Sequence, residues 1–178
     1  LLTLVKMDKN ASEVNISEVN INEFLEAILK QLQPIADKRN IEMIFESVRS
    51  VTAQVDEVKL SMAFRNLIEN AFRFSDGQKV IVKIERSGNC CRFGVADHKF
   101  FYLKVSDSGV GIPEELQDSI FERFYRVDKA RSRETGGNGL GLAITRNAIL
   151  LHRGSIKVHS IEQQGTTFAV RIPLMYSE

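Results

Sequence analysis

The chain has 178 residues, of which 43% are hydrophobic and 26% charged, which suits one globular domain with a sizeable core. Its 24 basic and 23 acidic side chains nearly cancel, which argues against the broad basic surface that holds a nucleic-acid backbone or an anionic membrane. The only cysteines, Cys90 and Cys91, are adjacent, so the sequence predicts neither a zinc quartet nor a disulfide framework and fits a reducing, cytosolic setting. No apolar run is long enough to span a bilayer.

The N-terminal part combines a short helical pattern, a polar stretch and a long helix. Residues 1–8 have the spacing of the last turns of an amphipathic helix, and the polar residues 9–20 are interpreted as a linker. A helical stripe follows, with Asn22 as the predicted N-cap and Pro34 as a predicted bend or local break. The apolar positions of this stripe are Phe24, Leu25, Ile28, Leu29, Leu32 and Ile35.

Two short strands are predicted next, over about 41–45 and 51–55. Asp56 is placed to cap a second helix, whose apolar residues recur at intervals of three and four. Its other face carries Asn66 and Asn70. The apolar positions of this second helix are Leu60, Ala63, Phe64, Leu67, Ile68 and Ala71.

The second half of the chain is rich in predicted strands. Residues 79–86 are predicted to form one strand, 87–89 a turn, and 91–106 a returning segment that is long for a simple hairpin. Mixed strands with helices on one side predict an α+β sandwich. The elements expected after Asp107 are a glycine-punctuated turn, two short helical stretches, a polar loop over 128–138, a helix over 139–151, and strands over 155–160 and 166–172 joined by a turn at 164–165.

Two asparagines on the second helix form the first candidate site. Asn66 and Asn70 are four residues apart and therefore lie on one helix face. Asparagine costs up to about 0.7 kcal/mol against alanine inside a helix, so the pair suggests a use for its amide oxygens. Magnesium, a hard ion that accepts neutral oxygen ligands, is one candidate partner. The alternative is a solvated helix face.

A carboxylate followed by glycines forms the second candidate site. Asp107 ends a strand and precedes Gly109 and Gly111, which let the backbone approach a ligand closely. The carboxylate can accept a hydrogen bond from the exocyclic amino group of adenine, whereas guanine presents an oxygen at that position. An unpaired buried polar group costs about 1–3 kcal/mol, which is enough to select ATP over GTP. The alternative is an ordinary Asp-Ser-Gly turn.

A glycine-rich stretch and a group of cations complete the candidate sites. Residues 136–142 end a polar loop at the start of a helix, where backbone amides and the helix dipole favour an anion. No Gly-Lys-Ser/Thr follows, so this stretch is not a P-loop, and a plain linker is the alternative. Arg126 and the basic residues after it could meet phosphates, or could belong to a solvated helix.

Taken in order, these segments resemble the N, G1, F and G2 boxes of sensor histidine kinases, within the superfamily that includes gyrase and the Hsp90 chaperones. The resemblance runs from about residue 19 to 173. It implies a Bergerat fold, which is a two-layer α/β sandwich with a mixed, mostly antiparallel sheet, helices on one face and an ATP lid loop. We expect 1–18 to be the end of a dimerisation and phosphotransfer helix with its linker, and 19–178 to be the catalytic ATP-binding domain.

The resemblance also implies a role for each matching residue. Asn70 and then Asn66 would hold Mg²⁺ or the phosphates, Asp107 would bind adenine, and Thr166 or Thr167 would assist through water. The other implied nucleotide-binding positions are Arg73, which keeps a phosphate-binding charge, Phe74, which keeps adenine stacking, Arg126 near the γ-phosphate, Gly109, Gly111, Ile112, Gly137, Gly139, Leu140, Gly141 and Leu142.

Three features depart from the family pattern. Asn138 stands where the family often has Thr or Ser, which leaves lid closure open. The segment 90–100 exceeds the usual hairpin and has no assigned role. No histidine is followed by an acidic residue as in the phosphoacceptor box, and His152 and His159 are interpreted as packing or surface residues.

The implied function is a protein-histidine kinase domain that uses ATP and Mg²⁺ to phosphorylate a histidine on a dimerisation domain outside this chain. The implied partners are that domain and a response regulator receiver domain, with no nucleic acid. We expect this chain to be monomeric and cytoplasmic, and the full-length protein to be a homodimeric sensor in the plasma membrane. Two alternatives stay open: a serine kinase of the anti-sigma type and a non-catalytic nucleotide-binding module. A gyrase-like or chaperone ATPase is disfavoured, because it would have a glutamate at Asn66.

Overall fold

A five-stranded sheet and three helices make up most of the part of the chain that the computed structural model describes, namely residues 13–47, 49–73, 75, 78–86, 100–122 and 141–177. In chain order the elements are β1 (Ser17–Asn20), α1 (Ile21–Lys38), β2 (Glu42–Ser47), β3 (Thr52–Val55), α2 (Glu57–Arg73), β4 (Lys79–Arg86), β5 (Phe100–Asp107), a 3₁₀ turn (Glu114–Leu116), α3 (Gly141–Leu151), β6 (Ser155–Ile161) and β7 (Gly165–Pro173).

The main sheet is mixed and mostly antiparallel, with the strand order β2-β4-β5-β7-β6. Only the edge pair β2 and β4 is parallel. Strands β1 and β3 form a separate antiparallel pair. In the centre of the sheet, the register of β5 and β7 places Asp107 opposite Thr166.

One face of the sheet forms the core together with all three helices. Side chains alternate between the two faces of a strand, and Val82 in β4, Leu103 in β5 and Val170 in β7 are fully buried. Their neighbours along each strand are half-buried or exposed. The helices bury the stripes predicted for them, including Leu25 in α1 and Leu67 in α2, in the same cluster. The exception is Ile35, which was predicted in the stripe of α1 but is exposed, because the last turn of the helix packs on the core through Ala36 instead. The predicted two-layer α+β sandwich is therefore confirmed.

The start of α1 differs from the sequence-based prediction. Asn20 is the N-cap, because its side chain accepts a hydrogen bond from the Glu23 amide at 3.1 Å. Asn22, the predicted cap, lies inside the helix and accepts a hydrogen bond from the Val51 amide at 2.7 Å. The prediction of Asn22 was wrong because two asparagines two residues apart both suit a cap, and only the tertiary contact to Val51 decides between them.

A linker over all of 9–20 and a break at Pro34 were both wrong expectations. The end of the predicted linker, Ser17–Asn20, forms β1 through pairing with β3, although only Val19 in it is buried. Pro34 does not break α1, which continues to Lys38. The proline is exposed, so the carbonyl group that loses its helical partner, on exposed Lys30, can bind water instead.

Most other predicted elements are confirmed. Asp56 caps α2, with its Oδ1 accepting from the Lys59 amide at 3.1 Å. The predicted turn over 87–89, the early part of the returning segment, the second short helical stretch and the polar loop over 128–138 lie outside the described residues. Among the described helices, none combines the length and apolar character needed to cross a membrane.

Candidate functional site

The asparagine face of α2 meets the first turn of α3. Asn66 and Asn70 lie one turn apart and are both half-buried, because the opposite stripe of α2 is fixed in the core. The Asn66 amide nitrogen donates to the Gly141 carbonyl at 3.5 Å, which leaves its side-chain oxygen able to accept or ligate. A Cβ on Gly141 would lie 3.8 Å from Asn66 Cγ. The structure therefore brings the predicted residues Asn66 and Gly141 together.

A buried threonine fixes this junction between α2 and α3. Thr145 is fully buried, and its hydroxyl is within hydrogen-bonding distance of the Gly141 carbonyl at 2.8 Å and of the Ala63 carbonyl at 3.3 Å. The first bond lies within α3, while the second reaches across to α2. Loss of the hydroxyl would leave buried carbonyl groups without this partner, so Thr145 holds the two helices in register.

Asp107 ends the central strand β5 with a half-buried carboxyl group. Burial raises the pKa of Asp107 from 3.8 to about 6, because desolvation disfavours the ionised form. Hydrogen bonds from the backbone amides of Gly109 and Thr166, together with the nearby Ser75 hydroxyl, act in the opposite direction and partly offset that rise. The Gly109 amide lies 2.9 Å from Asp107 Oδ1. At neutral pH the group is therefore mainly an ionised acceptor held by neutral donors.

The turn after Asp107 is clamped against the β6–β7 hairpin. Gly111 has a φ of +71°, and a Cβ on it would clash with the backbone carbonyl of Ile161, so only glycine fits. The Ile112 amide donates to Ser160 Oγ at 2.7 Å. Gln117 donates to the carbonyl oxygens of Ile112 and Ser160 at 2.9 and 3.0 Å. These contacts fix the backbone that borders the carboxylate.

The two threonines proposed for water-mediated binding lie on opposite faces of β7. Thr166 is buried, pairs with Asp107 in the sheet, and shares a hydrogen bond of 2.8 Å with Ser160 Oγ. Thr167 turns to the other face, where its hydroxyl bonds Ser106 Oγ at 2.9 Å. Only Thr166 therefore lies on the Asp107 side of the sheet.

Four residues at this site were not among those predicted from the sequence. Gly165 was recognised only as part of a turn, yet its Cβ would clash with the Asp107 carbonyl. Thr145 carried a weak signal, as a polar residue among the apolar positions of α3. Ser160 and Gln117 carried none, because their role depends on pairing with segments distant in the sequence.

The remaining predicted residues divide into two groups. Arg73 ends α2 and is half-buried, while Ile112 and Leu142 are half-buried hydrophobic residues packed against the core. The predicted residues that lie outside the described part of the chain are Phe74, Arg126, Gly137, Gly139 and Leu140.

Residues 55–175 match the sequence model of the family described as "Histidine kinase-, DNA gyrase B-, and HSP90-like ATPase". The chain belongs to this family. It is 34% identical over 177 residues to the sensor protein kinase WalK of Staphylococcus epidermidis, a match that covers 97% of this chain and 27% of that protein. WalK of Staphylococcus aureus is also 34% identical, with 97% of this chain and 40% of the relative covered. The chain thus spans less than half the length of these relatives.

Solved structures of histidine kinases share the fold. The catalytic domain of the histidine kinase ThkA superposes with a TM-score of 0.76 at 26% identity, covering 91% of this chain and 97% of that domain. Full-length ShkA, solved in complex with AMPPNP, gives a TM-score of 0.75 at 25% identity and covers 93% of this chain and 32% of that one. The expected Bergerat fold is confirmed, and this member of the family is an ATP-binding domain of the histidine kinase type.

Proposed function

We propose that this domain binds Mg-ATP and presents its γ-phosphoryl group to a histidine on a dimerisation and phosphotransfer domain outside the chain. The observation that carries the proposal is the Asp107 carboxylate, half-buried at the end of a central strand and bordered by a turn that other strands hold in place. Such a fixed acceptor beside a close-packed backbone suits recognition of a planar base.

Adenine selection would rest on Asp107. Its carboxylate accepts a hydrogen bond from the exocyclic amino group of adenine, while guanine would direct an oxygen at it. The mismatch leaves a buried acceptor unpaired at a cost of about 1–3 kcal/mol, which corresponds to about 5- to 150-fold weaker binding. Thr166 is buried on the same side and could bind a water that bridges to the base. Ile112 and Leu142 would supply apolar contact to its faces.

The phosphates would lie between α2 and the start of α3. The Asn66 and Asn70 side chains offer neutral oxygen ligands of the kind that Mg²⁺ accepts, so the residues present fit this ion. When bound, Mg²⁺ would neutralise phosphate charge. The Asn66 contact with Gly141 brings this amide to the first turn of α3, where the helix dipole favours anions. Arg73 would add a positive charge.

The other predicted roles follow from the sequence and extend this proposal. Phe74 would stack on adenine, Gly137, Gly139 and Leu140 would close over the phosphates, and Arg126 would approach the γ-phosphate. The domain would act mainly by positioning and charge neutralisation, since phosphoryl transfer needs little covalent chemistry from the protein.

The partners proposed for the whole protein are its dimerisation domain and a response regulator receiver domain. The matched relatives are named sensor protein kinases, which favours this assignment over an anti-sigma serine kinase or a non-catalytic module. We further propose that the residues before β1 belong to the dimerisation helix and its linker, and that the chain alone is monomeric whereas the full-length protein is a homodimer.

The test is calorimetric titration with ATP and GTP, each with and without Mg²⁺, followed by phosphotransfer to a separately supplied histidine-bearing domain. ATP binding that is assisted by Mg²⁺ and at least fivefold tighter than GTP binding is expected. Asn70→Ala should remove the Mg²⁺ effect, while Glu69→Ala on the neighbouring helix position should leave it unchanged. Binding without phosphotransfer would favour the non-catalytic module, and no binding up to millimolar ATP would refute the proposal.

A further inference from the structure

Ser75 has a fully buried hydroxyl that the proposed function does not use. Ser75 is 0% exposed, and its Oγ has no hydrogen-bond partner of ordinary geometry among the described residues. It is the only buried side-chain polar atom of which this is true in the described part of the chain. Buried polar groups in folded proteins nearly always have a partner, so this hydroxyl requires an explanation.

The backbone on both sides of Ser75 is fixed. The Ser75 amide donates to the Phe72 carbonyl at 3.3 Å, and the Ser75 carbonyl accepts from the Gln78 amide at 3.0 Å. The Gln78 carbonyl in turn accepts from the amide of Glu42, at the start of β2. Since the main-chain groups of Ser75 are occupied, its hydroxyl is the group left for another role.

A second contact places Ser75 beside the adenine-recognition turn. Ser108, the residue after Asp107, donates from its hydroxyl to Gln78 Oε1 at 2.9 Å. This bond joins the turn after α2 to the turn after β5. The Ser75 hydroxyl also lies close enough to the Asp107 carboxyl to lower its pKa. No hydrogen bond of ordinary geometry joins the two groups as they stand, and a shift of the serine side chain towards the carboxylate would complete one.

We propose that Ser75 is a positioning residue for base recognition, whose hydroxyl donates to the Asp107 carboxylate and fixes the orientation in which that carboxylate meets the adenine amino group. This inference rests on the proposed ATP-binding function. Together, the Gly109 amide, the Thr166 amide and the Ser75 hydroxyl would hold the carboxylate on three sides. Two of these donors are backbone groups, so Ser75 is the one that a substitution can remove.

The electrostatic surroundings make this role measurable. Within the described residues, the Asp107 pKa is shifted by burial and by three neutral donor groups, and no charged side chain contributes. Removal of the Ser75 hydroxyl should therefore move the titration of Asp107 upward without a competing ionic effect. A purely space-filling serine would leave that titration unchanged, which separates the two roles.

The experiment compares Ser75→Ala and Ser75→Cys with the wild-type protein, and uses Ser17→Ala, at an exposed serine of β1, as the matched control. Asp107 is titrated by carboxyl carbon NMR in the nucleotide-free protein, with its signal assigned through Asp107→Asn. Affinity is measured by calorimetry for ATP and for purine riboside triphosphate, which lacks the exocyclic amino group. Cysteine is close to serine in size and a weak donor, so it replaces alanine as the test variant if alanine prevents folding.

Loss of the Ser75 hydroxyl is expected to raise the Asp107 titration midpoint and to weaken ATP binding about fivefold, the usual effect of one hydrogen bond. Binding of purine riboside triphosphate should change less than twofold, and Ser17→Ala should resemble the wild type. Ser75→Thr, which restores the hydroxyl, should recover the wild-type midpoint.

An unchanged midpoint in both Ser75 variants, or an equal loss of affinity for the two nucleotides, would overturn the role of Ser75 while the ATP-binding function stands. Failure of the wild-type protein to bind ATP would instead refute the proposed function itself. The two failures are distinguishable because the first appears only in the variants.

Discussion

Replacing Asp107 by asparagine is expected to stabilise the nucleotide-free domain at neutral pH while weakening its binding of ATP. Burial of the carboxyl raises its pKa from 3.8 to about 6, so the folded protein binds this proton more tightly than the unfolded chain does. The ionised carboxylate therefore costs stability above about pH 6. That cost disappears as the pH falls through 6 towards 3.8, the pKa of this carboxyl group in the unfolded chain.

The size of the effect follows from the change in pKa. The pKa of Asp107 rises by about two, and each step of one in pKa corresponds to about 1.36 kcal/mol, so the ionised carboxylate lowers the free energy of unfolding by about 3 kcal/mol. This value is an upper limit, because the carboxyl group keeps some contact with solvent. Asparagine carries no charge and retains an acceptor for the Gly109 amide. We therefore expect Asp107→Asn to raise the free energy of unfolding by about 1–3 kcal/mol at pH 7.5 and by little at pH 4.

Urea unfolding between pH 4 and pH 8 tests this prediction, with the wild type, Asp107→Asn and Asp37→Asn compared throughout. Asp37 is an exposed carboxylate near the end of α1 and serves as the control. The quantity of interest is the difference between each variant and the wild type, which removes the effect of other titrating groups. A difference for Asp107→Asn that stays constant with pH, or a loss of stability at pH 7.5, would refute the reasoning.

Three other substitutions test separate parts of the structure. Burial lowers the pKa of His152, whose Nε2 accepts from the backbone amide of Asp56, the N-cap of α2. The part of the stability that depends on neutral His152 should therefore be lost as the pH drops below about 6.5. His152→Gln accepts without titrating, so its free energy of unfolding relative to the wild type should rise from pH 8 to pH 5 in urea unfolding. Gly111→Ala should lower the free energy of unfolding by about 1–3 kcal/mol and remove most ATP affinity, because the φ of Gly111 is positive and an added Cβ would clash with the backbone. Gly141→Ala should retain or gain thermal stability, because the atom nearest to its added Cβ is 3.8 Å away. Thr145→Val should lower the free energy of unfolding by about 1–2 kcal/mol, because it removes a buried hydrogen bond from α3 to α2 and a second one within α3. A similar loss in Thr167→Val, whose hydroxyl bonds only Ser106 across the sheet among the described residues, would contradict that explanation.

The helices and the central strands could be predicted because their signals are local. The apolar stripe of α2 repeats at three and four residues, and every position predicted for it from Leu60 to Ala71 is buried. Strand β4 has a buried apolar residue at every second position, namely Val80, Val82 and Ile84, and its predicted bounds match the observed Lys79–Arg86. In these segments the core-facing period alone specifies the element.

The predictions that were wrong, and those left open between two residues, concern features that depend on partners distant in the sequence. Strand β1 contains one buried residue, Val19, and exists because β3 offers it hydrogen bonds. The choice between Thr166 and Thr167 depends on which of them pairs with Asp107, and a shift of one residue in register would reverse it. A single sequence contains no measure of that register.

The same limit applies to the site. Asp107 and Asn66 were predicted because carboxylate and amide groups stand out beside glycines and apolar stripes. Ser160 and Gln117 do not stand out, since their function is to hold the backbone around Ile112 through contacts that span more than 40 residues in two of three cases. Supporting residues of this kind become visible only when the chain is folded.

The pairing of β4 with β5 has a practical consequence for engineering. Asp107 lies at the end of the pair where Val80 faces it, whereas Arg86 and Phe101 pair at the opposite end. Six residue steps of extended chain separate the two ends by about 20 Å. The long connection over 87–99 is attached at the end remote from Asp107, so a reporter domain or epitope inserted into it should leave nucleotide recognition undisturbed. The β6–β7 hairpin, which supports the turn at Gly111, is the place to avoid.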